Sequence, residues 1–200
     1  MSARLNLLPE PAFEGLKSQL SDRMAGLGDQ IHAGQFGDLL DPLLRQIIEK
    51  GFAEAEAHEG TIWLVDAARE ALEPAFNTGP HAGQMIGQFK QDLGCGLISM
   101  VFAAEQPFLE NDVSRNAQQS KLLDSKLQVQ THALIAVPFH LLNACRGVFS
   151  CVQLRSPDPR AGDPPGFQPA HLACVQRCAA LVSRLIEYRL LSRTVGWGCE

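Results

Sequence analysis

The side chains best equipped for chemistry in this sequence are its thiols. Cysteine stands at Cys95, Cys145, Cys151, Cys174, Cys178 and Cys199. Thiolates act as nucleophiles, redox partners or soft metal ligands, and each role needs close spacing or an activating neighbour. No pair has the C-x-x-C spacing of a zinc ribbon or a dithiol centre. Cys174 and Cys178 are one helical turn apart and share a helix face. That spacing suits small buried fillers of a helix contact; a thiol sensor or a metal pair is the alternative. Cys145 and Cys151 are an even number of residues apart, which puts both on one face of a strand. Gly94 and Gly96 flank Cys95, permitting a tight turn and a close backbone approach. The apolar run after them offers free N–H groups that suit an anionic ligand or a carboxylate cap. The plainer reading is a structural strand-to-helix turn, since an isolated G-x-G is a weak signal. No Ser-His-Asp grouping, P-loop or HExxH motif is present, so no catalytic residue and no metal site is assigned.

The elements that must position these residues follow from hydrophobic period. Residues 10–33 read as a first helix, with Phe13, Leu16, Leu20, Met24, Leu27 and Ile31 on one stripe. Residues 36–57 read as a second helix or helix pair, with Pro42 as a first-turn proline and the joint near Gly34. Thr61–Asp66 and Ala71–Phe76 read as paired strands, closed by the turn chemistry of Asn77-Thr78-Gly79-Pro80. A loop or short helix runs to Ile86, and Gln88–Leu93 reads as a weaker strand. Leu97–Ala104 is a short apolar helix, Pro107–Glu110 a brief strand, and 114–128 a polar helix with Ser114 as N-cap. His132–Leu141 and Cys145–Leu154 are two firm strands, and Pro138 inside the first implies an edge or a bulge. A Pro/Gly loop at 155–166 precedes a long helix from Phe167 to about Arg193. Its apolar residues Leu172, Val175, Ala179, Val182 and Ile186 follow three- and four-residue steps, a two-helix seam. The expected fold class is α+β, with a central antiparallel sheet of about six strands flanked by helices.

Composition narrows the function. The chain has 200 residues, 46% hydrophobic and 20% charged, which suits one folded domain with helical extensions. A net charge of -5 and no basic run beyond a dipeptide argue against nucleic acid. No stretch approaches the apolar length of a membrane span, and the opening residues lack a signal-peptide core. A cytoplasmic protein with reduced thiols is the default expectation. The organisation expected is a helical extension over 1–35, a domain over 36–193 that includes the last helix, and a tail over 194–200.

The element order, together with several segments, resembles the GAF family of sensory domains, relatives of PAS domains. EGTIWLVD at 59–66 looks like its first core strand. LGCGLISMVFAAEQPFLENDV at 93–113 looks like its GxGLxGxVxxTGxPxxxxDV stretch, and is the most specific part. ALIAVPF at 133–139 and RGVFSCVQL at 146–154 look like its two closing central strands. The resemblance spans about 38–190.

The resemblance implies a small-molecule-sensing regulatory domain of signal transduction, with ligand and cofactor unassigned. Its pocket would lie on one sheet face beneath residues 78–96 and 111–130. The ligand-binding candidates are Phe76, Phe89, Cys95, Ile98, Asp112, Leu123, Leu127 and Leu134. Asp112 is offered as a polar ligand contact; a local turn role competes for it and, more strongly, for Asn111. The family's cyclic-nucleotide branch carries Asn-Lys, Phe and Asp-Glu where this chain has Gln153-Leu154, Phe167 and His171-Leu172, so four of five positions differ. The bilin branch needs a Cys-His dipeptide, absent here; the haem branch needs a pocket histidine, for which His132 and His140 are the candidates. A cysteine-dependent free methionine sulfoxide reductase, using Cys95 with Cys145 or Cys151, is the enzymatic alternative to a non-enzyme. The other alternative is a ligand-free homodimerisation module. Its long N- and C-terminal helices would form a dimer bundle through Leu16, Leu20, Val175, Val182 and Ile186.

Overall fold

Alternating apolar residues with β-branched neighbours fold as strands, and the computed structural model, which describes residues 11–158 and 160–197, joins six of them into one sheet. The elements are α1 (Glu14–Gly28), α2 (Ala33–Leu39), α3 (Pro42–Glu54), β1 (Glu59–Val65), β2 (Ala71–Asn77), α4 (Ala82–Met85), β3 (Gln91–Asp92), α5 (Leu97–Ala104), β4 (Phe108–Glu110), α6 (Leu122–Leu127), β5 (Thr131–Leu141), β6 (Ala144–Leu154) and α7 (Pro169–Thr194). The strand order is β3-β2-β1-β6-β5-β4, and every neighbouring pair is antiparallel. The α+β class and its antiparallel sheet stand as expected. Cys199 and the last tail residues lie outside the described residues.

The sheet has two unlike faces. One carries Ile62, Leu64, Ile135, Val137, Phe139, Phe149 and Cys151 against α2, α3 and α7. Phe139 meets Phe149 with ring centroids 4.8 Å apart, and Phe36 of α2 closes edge-on at 6.1 Å. The other face carries Trp63, Val65, Leu72, Leu134, Ala136 and Val148 beneath α4, α5, α6 and their loops. Pro138 is tolerated because the β4 pairing ends at Ala136, so its missing N–H faces no partner strand.

Several boundaries differ from expectation for identifiable reasons. The joint falls at 29–32 rather than at Gly34, which lies inside α2. Pro42 is a first-turn proline, with the Asp41 side chain accepting the Leu44 N–H at 2.8 Å as cap. The expected helix over 114–128 is instead a 3₁₀ turn at Val113–Arg115, a polar loop, and α6. Asn116 accepts the Gln118 N–H at 3.0 Å and its amide reaches Glu110, so a local side-chain turn displaces helix there. The strand expected at Gln88–Leu93 shrinks to two residues.

Two bulges change which side chains share a face. Ile62 pairs with Phe76 but Trp63 pairs with Pro74, leaving Ala75 as an extra residue in β2. Phe76 is thereby turned to the helix face, where Arg45 lies 5.8 Å over its ring. Phe139 pairs with Gly147 but His140 with Cys145, leaving Arg146 extra in β6. Arg146 reaches Asp29 beyond α1 at 2.8 Å, while Cys145 turns toward Glu105 at the end of α5. Cys145 and Cys151 therefore do not share a face, contrary to their even spacing.

The seam on α7 is internal. Val175, Val182 and Ile186 are buried against the sheet and α3, so the expected dimer contact at these three positions is corrected to protomer core. An α-helix laid on a strongly apolar sheet face must spend its apolar stripe there. Cys174 and Cys178 both face α3, and a Cβ at Gly51 would stand 2.5 Å from the Cys178 sulfur, so the two thiols fill a close helix crossing. Leu16 of α1 is exposed and Leu20 partly so.

Candidate functional site

The second face is where polar side chains are set into the sheet. Counting outward from the apolar positions of β1, Glu59, Thr61 and Trp63 point away from α3 and α7. From β6, Ser150, Val152 and Leu154 do the same, and Thr131 and Leu134 join them from β5. The chain between β2 and β5 arches over these residues. It contributes Met85, Gln91, Gly96, Leu97, Ile98, Val113, Gln119, Ser120, Leu123, Asp124, Leu127 and Val129. Together they enclose a cavity of about 100 Å³. Ligand sites commonly span about 300–1,000 Å³, and a cavity of about 150 Å³ accepts a benzene ring. The cavity as it stands suits a ligand smaller than benzene, or a larger one after the roof lifts.

Most polar groups in the wall already have partners. Trp63 Nε1 donates to Ser150 Oγ at 2.9 Å, and Asn77 Nδ2 donates to Thr61 Oγ1 at 2.9 Å. Gln91 Nε2 donates to the Cys95 carbonyl at 2.8 Å, anchoring the Gly-Cys-Gly step to the sheet edge. Asp124 accepts from Thr131 N at 3.0 Å, Thr131 Oγ1 at 2.8 Å and Gln119 Nε2 at 3.2 Å, so it clamps α6 to β5. Glu59 and Gln119 stand apart. Glu59 is only 7% exposed, and among the described residues no donor reaches its carboxylate. Gln119 Oε1 is buried without a hydrogen bond.

The expected ligand-binding residues divide three ways. Ile98, Leu123, Leu127 and Leu134 line the cavity. Phe89 packs in the same core, 6.1 Å from Trp63, but behind the wall. Phe76, Cys95 and Asp112 are not in the wall, and these three placements are corrections. Phe76 is on the helix face for the bulge reason given above. Cys95 is exposed, outside the turn that Gln91 holds. Asp112 is drawn outward to Arg115 at 2.9 Å and Ser114 at 2.7 Å. Its neighbour Asn111 does not bond its own backbone. Asn111 Nδ2 donates to the Phe167 carbonyl at 2.9 Å, and the Phe167 N–H donates to Asn111 Oδ1 at 2.6 Å. Sequence reasoning passed over Glu59, Trp63, Gln119, Thr131 and Ser150. The signal available was parity: Glu59, Thr61 and Trp63 alternate with the core residues of β1.

Among the described residues, no histidine and no cysteine lines the cavity. His132 lies near Asp163, and His140 Nε2 meets Glu105 Oε2 at 2.9 Å. With Cys145 those two offer three ligand atoms within 4.8 Å of one another, a metal-capable group at the far end of β5 and β6. Burial pushes the Cys151 thiol well above its ordinary range, and the Cys178 thiol up to about 11. Cys145 is also raised by burial. These three are held as thiols at neutral pH, unsuited to nucleophilic attack.

No family model matches the sequence, and no curated protein matches it. Solved structures do match by shape. The GAF domain of a phosphoenolpyruvate-protein phosphotransferase from Coxiella burnetii superimposes with a TM-score of 0.59 at 16% identity, covering 94% of this chain and 100% of that one. The GAF-B domain of DevS from Mycobacterium smegmatis gives 0.57 at 15% identity, covering 78% and 99%. A free methionine-R-sulfoxide reductase from Neisseria meningitidis gives 0.55 at 14% identity, covering 98% and 99%. The protein is an α+β domain with the GAF fold. Among the described residues, no helix is long and apolar enough to cross a membrane.

Proposed function

We propose that this protein is a GAF-type sensory domain that binds a small molecule between its sheet and the arch over residues 78–131 and regulates a signalling output. The observation that carries this reading is the cavity itself: a mostly apolar enclosure whose wall includes a carboxylate with no protein donor, Glu59, and a residue with a buried unpaired acceptor, Gln119. A buried acceptor without a donor is costly, and a core built only for stability would have paired it. GAF domains of sensory and signalling proteins share the fold, which supports the regulatory reading. A non-enzymatic role is supported by the thiols. Cys95 stands outside the cavity, and Cys145 and Cys151 lie on opposite sides of the sheet. Thermal-shift screening with small amines, amino acids, organic acids and nucleotides tests the reading. Stabilisation that is lost when Leu134→Trp fills the cavity is expected; no stabilisation by any compound defeats it.

A second reading, homodimerisation in a cytoplasmic setting, has its own support. Leu181 and Tyr188 in α7 and Val195 at its C-cap stand exposed at seven-residue intervals, a seam separate from the buried one. Phe13, just before α1, and Leu16 within it are exposed as well. The bundle would use these positions in place of Val175, Val182 and Ile186. Sedimentation at micromolar concentration should show a dimer that Leu181→Glu converts to a folded monomer. A wild-type monomer rules the dimer out.

A further inference from the structure

We infer that the cavity is built for a small organic cation, an alkylammonium, with Glu59 as its counter-ion; this rests on the ligand-binding reading above. The charge of the wall comes first. The lining residues include two carboxylates, Glu59 and Asp124, and no lysine, arginine or histidine. An anionic ligand would enter a site with no cationic side chain to receive it, against two negative charges. This disfavours phosphate- and carboxylate-bearing compounds as a class.

The two carboxylates are not equivalent. Asp124 has three donors, two from Thr131 and one from Gln119, so its charge is consumed in holding the roof to β5. Glu59 has none among the described residues, although it is more than nine-tenths buried. A carboxylate in the cavity wall with no protein donor is open to pairing with a cationic ligand. The backbone makes specific room for this side chain. A Cβ at Gly79 would lie 2.2 Å from the Glu59 carboxylate, so only glycine there admits the acid in its present position. The roof supplies a second acceptor. The amide nitrogen of Gln119 is engaged at Asp124, which leaves Oε1 buried and unpaired on a residue that lines the same cavity. Trp63 adds an aromatic wall whose indole N–H is already satisfied by Ser150, leaving the ring as a surface for a cation. The remaining lining is aliphatic, from Met85, Leu97, Ile98 and Leu134, and suits a short alkyl chain. A volume of about 100 Å³ limits the ligand to fewer atoms than a substituted ring.

The test uses the full chain and three probes of one shape: n-butylammonium, 1-butanol and butyrate. Binding is read by calorimetry and by Trp63 fluorescence in a Trp197→Phe background. The expected order is n-butylammonium above 1-butanol, with butyrate not binding. Glu59→Gln keeps the side-chain shape and should weaken the ammonium about tenfold or more, the loss of one charged hydrogen bond. Gln119→Leu, on the half-exposed roof, gives a second variant should Glu59→Gln fail to fold, and should weaken the ammonium by a smaller factor. Butanol or butyrate binding as tightly as the ammonium overturns the cation assignment and leaves ligand sensing standing. Unchanged ammonium affinity in both variants also overturns it. If none of the three probes binds, the assignment is overturned, and the wider compound screen then decides separately whether the sensing reading survives.

Discussion

The two faces of the sheet are made from the same strands but solve different problems. On the helix face, Phe139, Phe149, Ile135 and Leu64 belong to one apolar cluster with residues of α2, α3 and α7. Those helices are 13 and 26 residues long, and they bring continuous apolar stripes. On the cavity face, the cover is made of helices of four, eight and six residues joined by polar loops. Segments that short are marginal on their own, so the roof depends on a few side-chain links: Asp124 to Thr131, and Lys126 to the Gln88 carbonyl at 2.8 Å. One face is held by long apolar helices, the other by a smaller apolar cluster joined by a handful of bonds. Regions held the second way open locally at less cost than the whole domain.

The largest expected effect tests this contrast in the core. Phe149→Ala on the helix face should cost about 3–5 kcal/mol, while Leu134→Ala, beside an existing void, should fall near 2 kcal/mol. Urea unfolding of both variants measures it, and equal losses would erase the distinction. Next in size, Asp124→Ala should cost about 1–2 kcal/mol. Its signature is local: amide exchange should quicken across 113–131 while α7 and β6 keep their protection. Exchange that quickens uniformly would show that the roof and the helix face unfold as one unit. The smallest effect concerns pH. Arg189, followed by the Leu44 N–H, holds the Asp41 carboxyl below its ordinary range. A depressed folded value gives stability above the unfolded pKa near 4 that is lost as pH falls through the folded one. The thermal midpoints of wild type and Asp41→Asn should therefore differ at pH 7 and converge toward pH 3. A gap that widens on acidification would refute this assignment.

The sheet was legible in the sequence because short apolar runs such as Ile62–Val65 and Ala133–Val137 are too short for helices and are bounded by turn chemistry. The helix starts were legible where capping chemistry is local, as at Asp41-Pro42. Errors came where non-local geometry intervened. The resemblance offered Phe76 for the cavity, but the bulge at Ala75 breaks its parity with Leu72 and Pro74 and turns it to the helix face. Cys145 fails for the same reason at Arg146. Val182 and Ile186 were read as a surface seam because periodicity marks an apolar stripe without saying what covers it. The most informative cavity residue, Glu59, was invisible for a related reason. An acid at a strand start reads as solvent-facing until the arch above it is known.

One contact gives the arch a mechanical reach beyond the cavity. Asn111 uses both ends of its amide on the backbone of Phe167, and Gly166 sits so near that a methyl group there would strike it at 2.8 Å. Two residues along from Asn111, Val113 is part of the cavity wall; two residues along from Phe167, α7 begins. The rim of the cavity and the root of the longest helix are thus stitched at a single knot. Were a guest to push Val113 aside, the displacement would reach the start of α7 through that knot.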